Sequence, residues 1–313
     1  MKLLRILLVI AVFTTGIVPL TVNNAMATGT LYGIAYVGGG PSSLYVIDTS
    51  TGAPTLIGAV GFDRCSAMDF DAARTLWAVC NGFDSDDAAV ITINTATGAG
   101  TKISSPPESH SFGSAYSDMS FRNGDGKLYV YLESGDGVGT LVPTTGALTE
   151  LGASETPSAN GNGIAFTLAD TLYHATEDPL NTLDQTSGAA TTVASLVFSP
   201  PLDSGPRINA MDLDSSTGVM YGSCNDGIGG SENYLCTIDL TSGTVTVIGA
   251  TVNGLDAIAF ASSSNIIGGN LLPIDNTALL LARIQSSSIW MVPTLAGLAG
   301  VGAYYFRTRM SKE

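Results

Sequence analysis

The sequence predicts an all-β fold, a five-bladed β-propeller, from three observations. An alternating apolar strand that ends in a Gly turn occurs five times, at intervals of 42 to 55 residues. Two further strand motifs accompany each occurrence, so each unit contains four short strands in about 46 residues, the size of one propeller blade. The chain starts with one of these motifs and ends with the other, so the last strand is expected to complete the first blade.

The strand that ends in a Gly turn is clearest in residues 44–52 and 235–243. In four units an Asp or Asn lies four residues before the Gly, where its side chain can accept hydrogen bonds from the following backbone. These residues are Asp48, Asn94, Asp184 and Asp239. The Gly supplies a positive φ angle, and a turn-forming role is favoured over calcium binding for the acids. The third unit has Val142 at this position, so we expect its turn to differ.

The two other motifs identify the remaining strands of each unit. The first is an apolar-x-apolar strand, at residues 68–70, 119–121, 164–166, 211–213 and 258–260. The second is a Leu or Met followed by an aromatic residue, at 31–32, 76–77, 128–129, 172–173 and 220–221. Each motif occurs five times, and closure by the C-terminal strand removes open sheet edges. Five blades are therefore favoured over six or seven.

Both ends of the chain carry membrane-targeting patterns. Residues 1–27 have a basic start, an apolar stretch and an Ala25-Met26-Ala27 cleavage site, which predicts a secretory signal peptide, with an uncleaved anchor as the alternative. Residues 289–306 have no charge and would form a helix of about 27 Å, enough to cross a bilayer core. Basic residues in 307–313 follow, which predicts a cytoplasmic tail. Residues 28–262 are then the extracytoplasmic propeller and 263–288 a linker.

The region between these ends is acidic. Residues 28–265 contain six Lys or Arg and 25 Asp or Glu, a net charge of −19. A field of this sign repels nucleic acid and favours cationic partners. A solvated acidic surface is favoured over a specific cation-binding function.

The four cysteines fit an exported protein. Cys65 and Cys80 bracket one predicted hairpin, and Cys224 and Cys236 lie on successive strands of another unit. Because each pair is local, we predict the disulfides Cys65–Cys80 and Cys224–Cys236. Four cysteines allow three pairings, and the sequence alone leaves the other two open. A zinc site is disfavoured because no CxxC spacing or nearby His supports it.

A polar position recurs two residues before each apolar-x-apolar motif. The residues there are Ser66, Ser117, Asn162, Asn209 and Asp256. In a five-bladed ring they would surround the mouth of the central channel. We hypothesise a polar ring that binds water, a cation or a ligand group; the alternative is that each side chain satisfies its own turn.

Other polar residues give weaker indications of chemistry. His110 and His174 are the only histidines, and neither belongs to a recognisable catalytic motif, so no catalytic residue is assigned. Asp84, Asp86 and Asp87 offer oxygen ligands to calcium but lack the alternating order of a calcium loop, so a solvated loop is favoured. We predict no cofactor, and Ca²⁺ is the alternative.

Residues 31–261 resemble secreted bacterial and archaeal β-propellers whose blades contain "LY-x-ID-x-x-TG-x-x-T-x-IG". The resemblance implies a scaffold and no particular catalytic residue. Residues 268–313 resemble the C-terminal tail of archaeal surface proteins, in which a "GG-x-L-x-x-ID-x-TALLLA" stretch precedes a membrane span and basic residues. Pro293-Thr294-Leu295 is similar to a transpeptidase sorting signal, but the residues that should follow are absent.

Together these observations predict a cell-surface-tethered propeller that acts as a binding or interaction module. Its partners would be the membrane, through the C-terminal helix, and an extracellular ligand or envelope protein. The loops at 81–88, 104–117 and 198–208 would supply contacts. The alternatives are an extracytoplasmic hydrolase or lyase with a metal-assisted site at the channel mouth, and a passive constituent of the cell envelope.

Overall fold

The computed structural model describes residues 29–38, 40–80, 88–113, 115–133, 135–156, 161–202, 205–227 and 232–261. These residues form strands and turns without a helix, so none of them provides a helix able to cross a membrane. The predicted signal peptide (1–27), linker (263–288), membrane helix (289–306) and tail (307–313) lie outside the described residues. The same holds for Asp84, Asp86 and Asp87.

The strands follow one another in four-strand units. The first eleven are β1 (Thr30–Ala35), β2 (Pro41–Ile47), β3 (Pro54–Asp63), β4 (Ala67–Phe70), β5 (Leu76–Cys80), β6 (Ala89–Ile93), β7 (Gly100–Ser104), β8 (Ala115–Phe121), β9 (Leu128–Glu133), β10 (Gly137–Val142) and β11 (Ala147–Ala153). The others are β12 (Gly163–Phe166), β13 (Leu172–Ala175), β14 (Leu180–Leu183), β15 (Ala190–Ala194), β16 (Val197–Ser199), β17 (Arg207–Asp214), β18 (Val219–Asn225), β19 (Asn233–Ile238), β20 (Thr244–Ala250) and β21 (Leu255–Ala261).

Five antiparallel sheets form the blades of a five-bladed β-propeller. From the innermost strand outward, blade 1 is β21-β1-β2-β3, blade 2 is β4 to β7, blade 3 is β8 to β11, blade 4 is β12 to β15 and blade 5 is β17 to β20. The pairing of β21 with β1, in which Phe260 lies opposite Leu31, closes the ring. The predicted blade count and the predicted closure are confirmed.

Blade 5 has an additional outer strand that the sequence analysis did not predict. Strand β16 pairs in parallel with β20, and the backbone N–H of Val197 donates to the carbonyl of Gly243 over 3.0 Å. The segment 198–208, predicted as an irregular loop, therefore contains most of β16 and the start of β17. Strand β16 uses the hydrogen-bonding edge that β20 would otherwise leave open.

Aromatic contacts between neighbouring blades explain why the two short motifs recur together. Tyr32 of blade 1 packs on Phe70 of blade 2, with ring centroids 5.6 Å apart. The pairs Tyr129–Phe166 and Tyr221–Phe260 repeat this contact at 5.2 and 5.0 Å. The aromatic residue of the second motif thus packs on the last residue of the first motif in the next blade. Burial of this apolar surface holds adjacent blades together.

The Gly turns close in the same way in all five blades. In blade 1 the N–H of Gly52 donates to the carbonyl of Asp48 over 2.8 Å, with φ of 78°. In blade 3 the N–H of Gly146 donates to the carbonyl of Val142 over 2.8 Å, with φ of 75°. Our expectation of a different third turn is therefore wrong. The backbone bond and the left-handed Gly define the turn, and the Asx side chain only adds hydrogen bonds to it.

Both predicted disulfides are present. Cys65 is bonded to Cys80 and Cys224 to Cys236, and each bond lies within one blade. The local pairing inferred from the hairpins is confirmed.

Candidate functional site

Three residues of the predicted polar ring occupy the same special backbone position. In the pairing of β8 with β9, Tyr116 and Asp118 face consecutive partners and Ser117 is left as the extra residue of a β-bulge. Asn209 is the extra residue of β17, and Asp256 is the extra residue of β21. A bulge re-aims the side chain of its extra residue. The three bulges occur at the same end of the innermost strands.

These three side chains line a cavity of about 270 Å³, which we call the channel-mouth cavity. Its wall comes from blades 1, 3, 4 and 5 and is mostly polar. The other lining residues are Tyr36, Glu133, Gly161, Arg207 and Asn225. Residues far apart in the chain meet here because closure of the ring brings the ends of β1, β9, β17, β18 and β21 together.

The two remaining ring residues point elsewhere. Ser66 is fully buried, and its Oγ donates to the carbonyl of Tyr116 over 2.6 Å. Asn162 is also fully buried, and its Oδ1 lies 3.1 Å from Nε2 of His174. Both residues precede the short strands β4 and β12 instead of forming a bulge. For these two positions the alternative interpretation fits, because the side chains satisfy internal polar groups.

A hydrogen-bonded chain orders one side of the cavity wall. Arg207 Nε donates to Asn225 Oδ1 over 3.2 Å, and Asn225 Nδ2 donates to Asn209 Oδ1 over 3.1 Å. These bonds fix the orientation of both amide groups. The guanidinium is therefore part of the wall.

The carboxyl groups of the cavity have pKa values close to neutral pH. Burial raises the pKa of Glu133 to about 7, and the nearby charges of Asp256 and Asp136 act in the same direction, while Arg207 opposes them. Burial likewise raises the pKa of Asp256 to about 7, against the hydrogen bond from Tyr36 and the charge of Arg207. Burial and the adjacent Asp256 raise the pKa of Tyr36, so its phenol keeps its proton.

Ser117 is the polar residue of the cavity whose hydrogen-bonding capacity is unused. Its side chain is only 5% exposed, and its Oγ has no hydrogen-bond partner within the described ranges. Buried hydroxyl groups in folded proteins nearly always have a partner. An unpartnered buried hydroxyl in a polar cavity indicates a place that a ligand atom or water would occupy.

Below the cavity, Asp118 joins three blades. Its Oδ2 accepts the N–H groups of Ile164 and Met211 over 2.8 and 3.1 Å, and its Oδ1 accepts the N–H of Met119 over 2.9 Å. Burial raises the pKa of Asp118, while these three N–H groups act in the opposite direction. The carboxyl group satisfies backbone donors that face the axis and have no strand beside them, so its role is structural.

The other end of the innermost strands uses the same arrangement. Asp69 accepts the N–H of Phe121 in the next blade over 2.6 Å, and Ser120 Oγ accepts the N–H of Phe166 over 3.1 Å. A smaller cavity of about 140 Å³ lies here, lined by Asp69, Asp212 and Ser120 among others. Because these oxygens are committed to backbone N–H groups, we assign this end a structural role.

The two histidines lie away from the channel-mouth cavity. His174 is fully buried and stacks on Tyr131, with ring centroids 4.5 Å apart, and burial lowers its pKa to about 3. His110 accepts the N–H of Phe112 over 3.3 Å and contacts the ring of Tyr116 edge-on, and burial lowers its pKa. Both are packed residues in the structure. Among the described residues no three His, Cys, Asp or Glu side chains are grouped to hold a metal ion.

Sequence reasoning missed Glu133, Arg207, Asn225 and Tyr36. Each lies at the end of a strand or directly after one, where side chains at the same level of neighbouring strands meet. The signal available was their position at the ends of the strands that flank the ring residues. The sequence does not give the strand bounds or the bulges, so it does not show which of these strand ends lie next to each other.

Comparisons with known proteins add the fold and no activity. No protein-family model matches the chain. No curated protein matches it either. Among solved structures, a protein of unknown function from Bacteroides thetaiotaomicron VPI-5482 is similar, with 15% identity over 75% of this chain and a TM-score of 0.50. The match spans 65% of that protein, less than two thirds of its length.

Two further structures are more distant. A putative 6-phosphogluconolactonase from Bacteroides fragilis NCTC 9343 has 11% identity and a TM-score of 0.44, over 76% of this chain and 99% of that one. A gluconolactonase from Xanthomonas campestris has 14% identity and a TM-score of 0.41, over 74% and 79%. The similarity to the protein of unknown function, at 15% identity, concerns the fold alone. The chain is a five-bladed β-propeller with two disulfides and a mostly polar cavity at one end of its innermost strands.

Proposed function

We propose that the protein is a binding module, tethered at the cell surface, that takes a small polar ligand into the channel-mouth cavity. The observation that carries this proposal is the Oγ of Ser117, which is buried without a partner among the described residues, in a cavity lined by polar side chains from four blades. A preformed cavity with convergent polar groups is the usual form of a small-molecule site. The bulges at Ser117, Asn209 and Asp256 support this assignment because they direct three polar side chains to one place.

Separate observations support the proposed location at the cell surface. Two disulfides support folding in an oxidising compartment. The patterns at residues 1–27 and 289–306 support secretion followed by anchoring. Cleavage after Ala27, measured by N-terminal sequencing of the mature protein, checks the first step. Release of the protein from the membrane fraction after deletion of 289–313 checks the second.

The binding proposal is tested with the full-length protein in detergent. Isothermal titration calorimetry is run with cationic, neutral and anionic small molecules and with calcium chloride. Ser117→Ala removes the unpartnered hydroxyl, and we expect it to weaken binding roughly fivefold. Ser120→Ala is the matched control, because it alters the far end of the same strand and should leave binding unchanged. Absence of binding, or equal binding by both variants, would contradict the proposal and favour a passive envelope constituent.

A hydrolase or lyase is the second candidate, and one observation favours it. Glu133 and Asp256 share the cavity with pKa values of about 7, as general acids and bases often have. An enzyme would convert the bound ligand, and Glu133→Gln would slow conversion without abolishing binding. Nuclear magnetic resonance spectra of the ligand after long incubation distinguish the two candidates, since a binding module returns it unchanged.

A further inference from the structure

We infer that the ligand of the channel-mouth cavity carries a primary ammonium group, held by Glu133, Asp256 and Ser117. This inference rests on the proposed function and names the class of ligand. The described lining residues carry two carboxyl groups and one guanidinium, that of Arg207. The whole chain has a net charge of −15, so its long-range field also attracts cations and repels anions.

Among the described lining residues the only cationic side chain is that of Arg207, and it is held in the cavity wall by a hydrogen bond. Arg207 is 6% exposed, and its Nε donates to Asn225 Oδ1 over 3.2 Å. Its charge also acts on Glu133 and Asp256, lowering the pKa of each. One positive charge partly compensates two carboxyl groups when both are ionised. An anionic ligand would therefore add to the excess negative charge, whereas a cationic ligand would remove it.

The hydrogen-bonding groups match an ammonium group better than a hydroxyl. An ammonium group has three N–H donors and no acceptor, and ionised carboxyl groups are acceptors only. Glu133 and Asp256 provide two acceptors, and the unpartnered Oγ of Ser117 provides the third. The amide oxygen of Asn209 already accepts from Asn225. A neutral ligand could use the same oxygens. It would leave one ionised carboxyl group without a counter-ion of its own, because Arg207 compensates only one charge, and an uncompensated charge that is partly buried is costly.

Protons compete with the ammonium group of the ligand for the carboxyl groups of Glu133 and Asp256. The charged and titratable groups that face them are Tyr36, Asp136, Arg207 and the two carboxyls themselves. Burial is the main cause that raises the pKa of Glu133 and of Asp256 to about 7. Binding of an ammonium group should therefore release protons near neutral pH and weaken as the pH falls.

The test uses three probes of equal chain length that differ only in their end groups: 1,4-diaminobutane, 1,4-butanediol and succinate. Calcium chloride is the fourth probe and distinguishes a metal ion from an organic cation. Titrations of the full-length protein are run at about pH 8.5 and about pH 5.5, in two buffers with different ionisation enthalpies, so that proton release is measured directly. Glu133→Gln and Asp256→Asn remove one charge each. Asp63→Asn is the control, because it removes the same charge from an exposed position on β3.

We expect 1,4-diaminobutane to bind about tenfold or more tightly than the diol at the higher pH. Its affinity should fall by about tenfold at the lower pH, with proton release on binding. Glu133→Gln and Asp256→Asn should each reduce the affinity about tenfold and reduce proton release, while Asp63→Asn changes neither. Because the neutral variants remove partly buried charges, they are expected to fold. Proton release by the unaltered protein is measured without any variant.

Two kinds of result would overturn the inference in different ways. If the diol or succinate binds as tightly as the diamine, or if calcium binds and the diamine does not, the ligand class is wrong and the binding function remains. Such binding is assigned to the cavity only if Ser117→Ala weakens the affinity of the probe. If no probe binds, or if binding is insensitive to changes at Ser117 and Glu133, both the inference and the proposed function fail.

Discussion

The carboxyl group of Asp212 in blade 5 accepts the backbone N–H of Phe260 in blade 1 over 2.6 Å. This hydrogen bond lies where the C-terminal strand closes the ring. The other oxygen of Asp212 accepts the N–H of Leu213 over 2.7 Å, so one side chain serves both innermost strands at the closure. Asp69 and Phe121 repeat the relationship between blades 2 and 3. The channel-facing backbone donors at this level thus depend on side chains of the adjacent blade.

Replacing Asp212 by Ala should destabilise the propeller by about 2 kcal/mol, because two partly buried N–H groups lose their acceptor. Asp212→Asn keeps one acceptor oxygen and removes a carboxyl group whose pKa burial raises, so its effect should be smaller. Urea denaturation measures both changes. Equal losses for the Ala and Asn variants would show that the hydrogen bonds to Phe260 and Leu213 contribute little.

Stability should fall as the pH rises from about 5 to about 8.5. Glu133 and Asp256 have pKa values of about 7 in the fold and ordinary values of 4.5 and 3.8. The folded state therefore binds more protons than the unfolded state in this window. Their contribution is complete below their unfolded pKa values and is lost as the pH passes 7. The loss should be on the order of a few kcal/mol.

Urea denaturation across that pH range measures the effect. Burial also raises the pKa of Asp69, Asp118 and Asp212, so these groups contribute to the same loss of stability. Below about pH 5 the exposed turn carboxyl groups act oppositely, because hydrogen bonds lower the pKa of Asp48 and Asp184. A double replacement of Glu133 by Gln and Asp256 by Asn should flatten the pH dependence. Unchanged pH dependence in that variant would contradict the assignment.

Gly98→Ala should destabilise the protein by about 2 kcal/mol or more. Gly98 has φ of 82°, and a Cβ there would lie 2.7 Å from the carbonyl oxygen of Gly58 in the neighbouring blade. Gly61→Ala is the matched control, because Gly61 has φ of 80° and no atom within 4 Å of the added Cβ among the described residues. Thermal denaturation of both variants separates the contact between blades from the backbone strain. If the two variants lose the same stability, the close approach of Gly98 to Gly58 has no energetic role.

Val142→Asn should stabilise the third turn by about 0.5 kcal/mol. The equivalent Asn94 accepts the N–H groups of Ala96 and Thr97 over 2.9 and 3.1 Å, whereas Val142 is exposed and contributes no such bond. Val142→Ala controls for removal of the exposed apolar side chain. The gain would be seen in the midpoint of urea denaturation, and equal midpoints for the Asn and Ala variants would exclude it.

The residues that line the channel-mouth cavity could be predicted only in part. Ser117, Asn209 and Asp256 share a position in the repeat with Ser66 and Asn162, and the repeat pattern treats all five alike. Whether a side chain lines the cavity depends on a bulge in the pairing of its strand, and three strands have that bulge. Strand pairing is decided by contacts between residues distant in sequence, which periodicity does not report.

The repeat pattern alone predicted the number of blades and the closure of the ring by the last strand, whereas the cysteine spacing favoured the observed pairing and left two others open. The blade number and the closure follow from repetition and from the order of motifs along the chain, both of which are local properties. The presence of Glu133, Arg207 and Asn225 in one cavity with Ser117 and Asp256 depends on the tertiary structure. Ring closure and the bulges bring these side chains together, and burial there raises the pKa of Glu133 and of Asp256. That environment is created by packing, so it has no counterpart in the linear pattern.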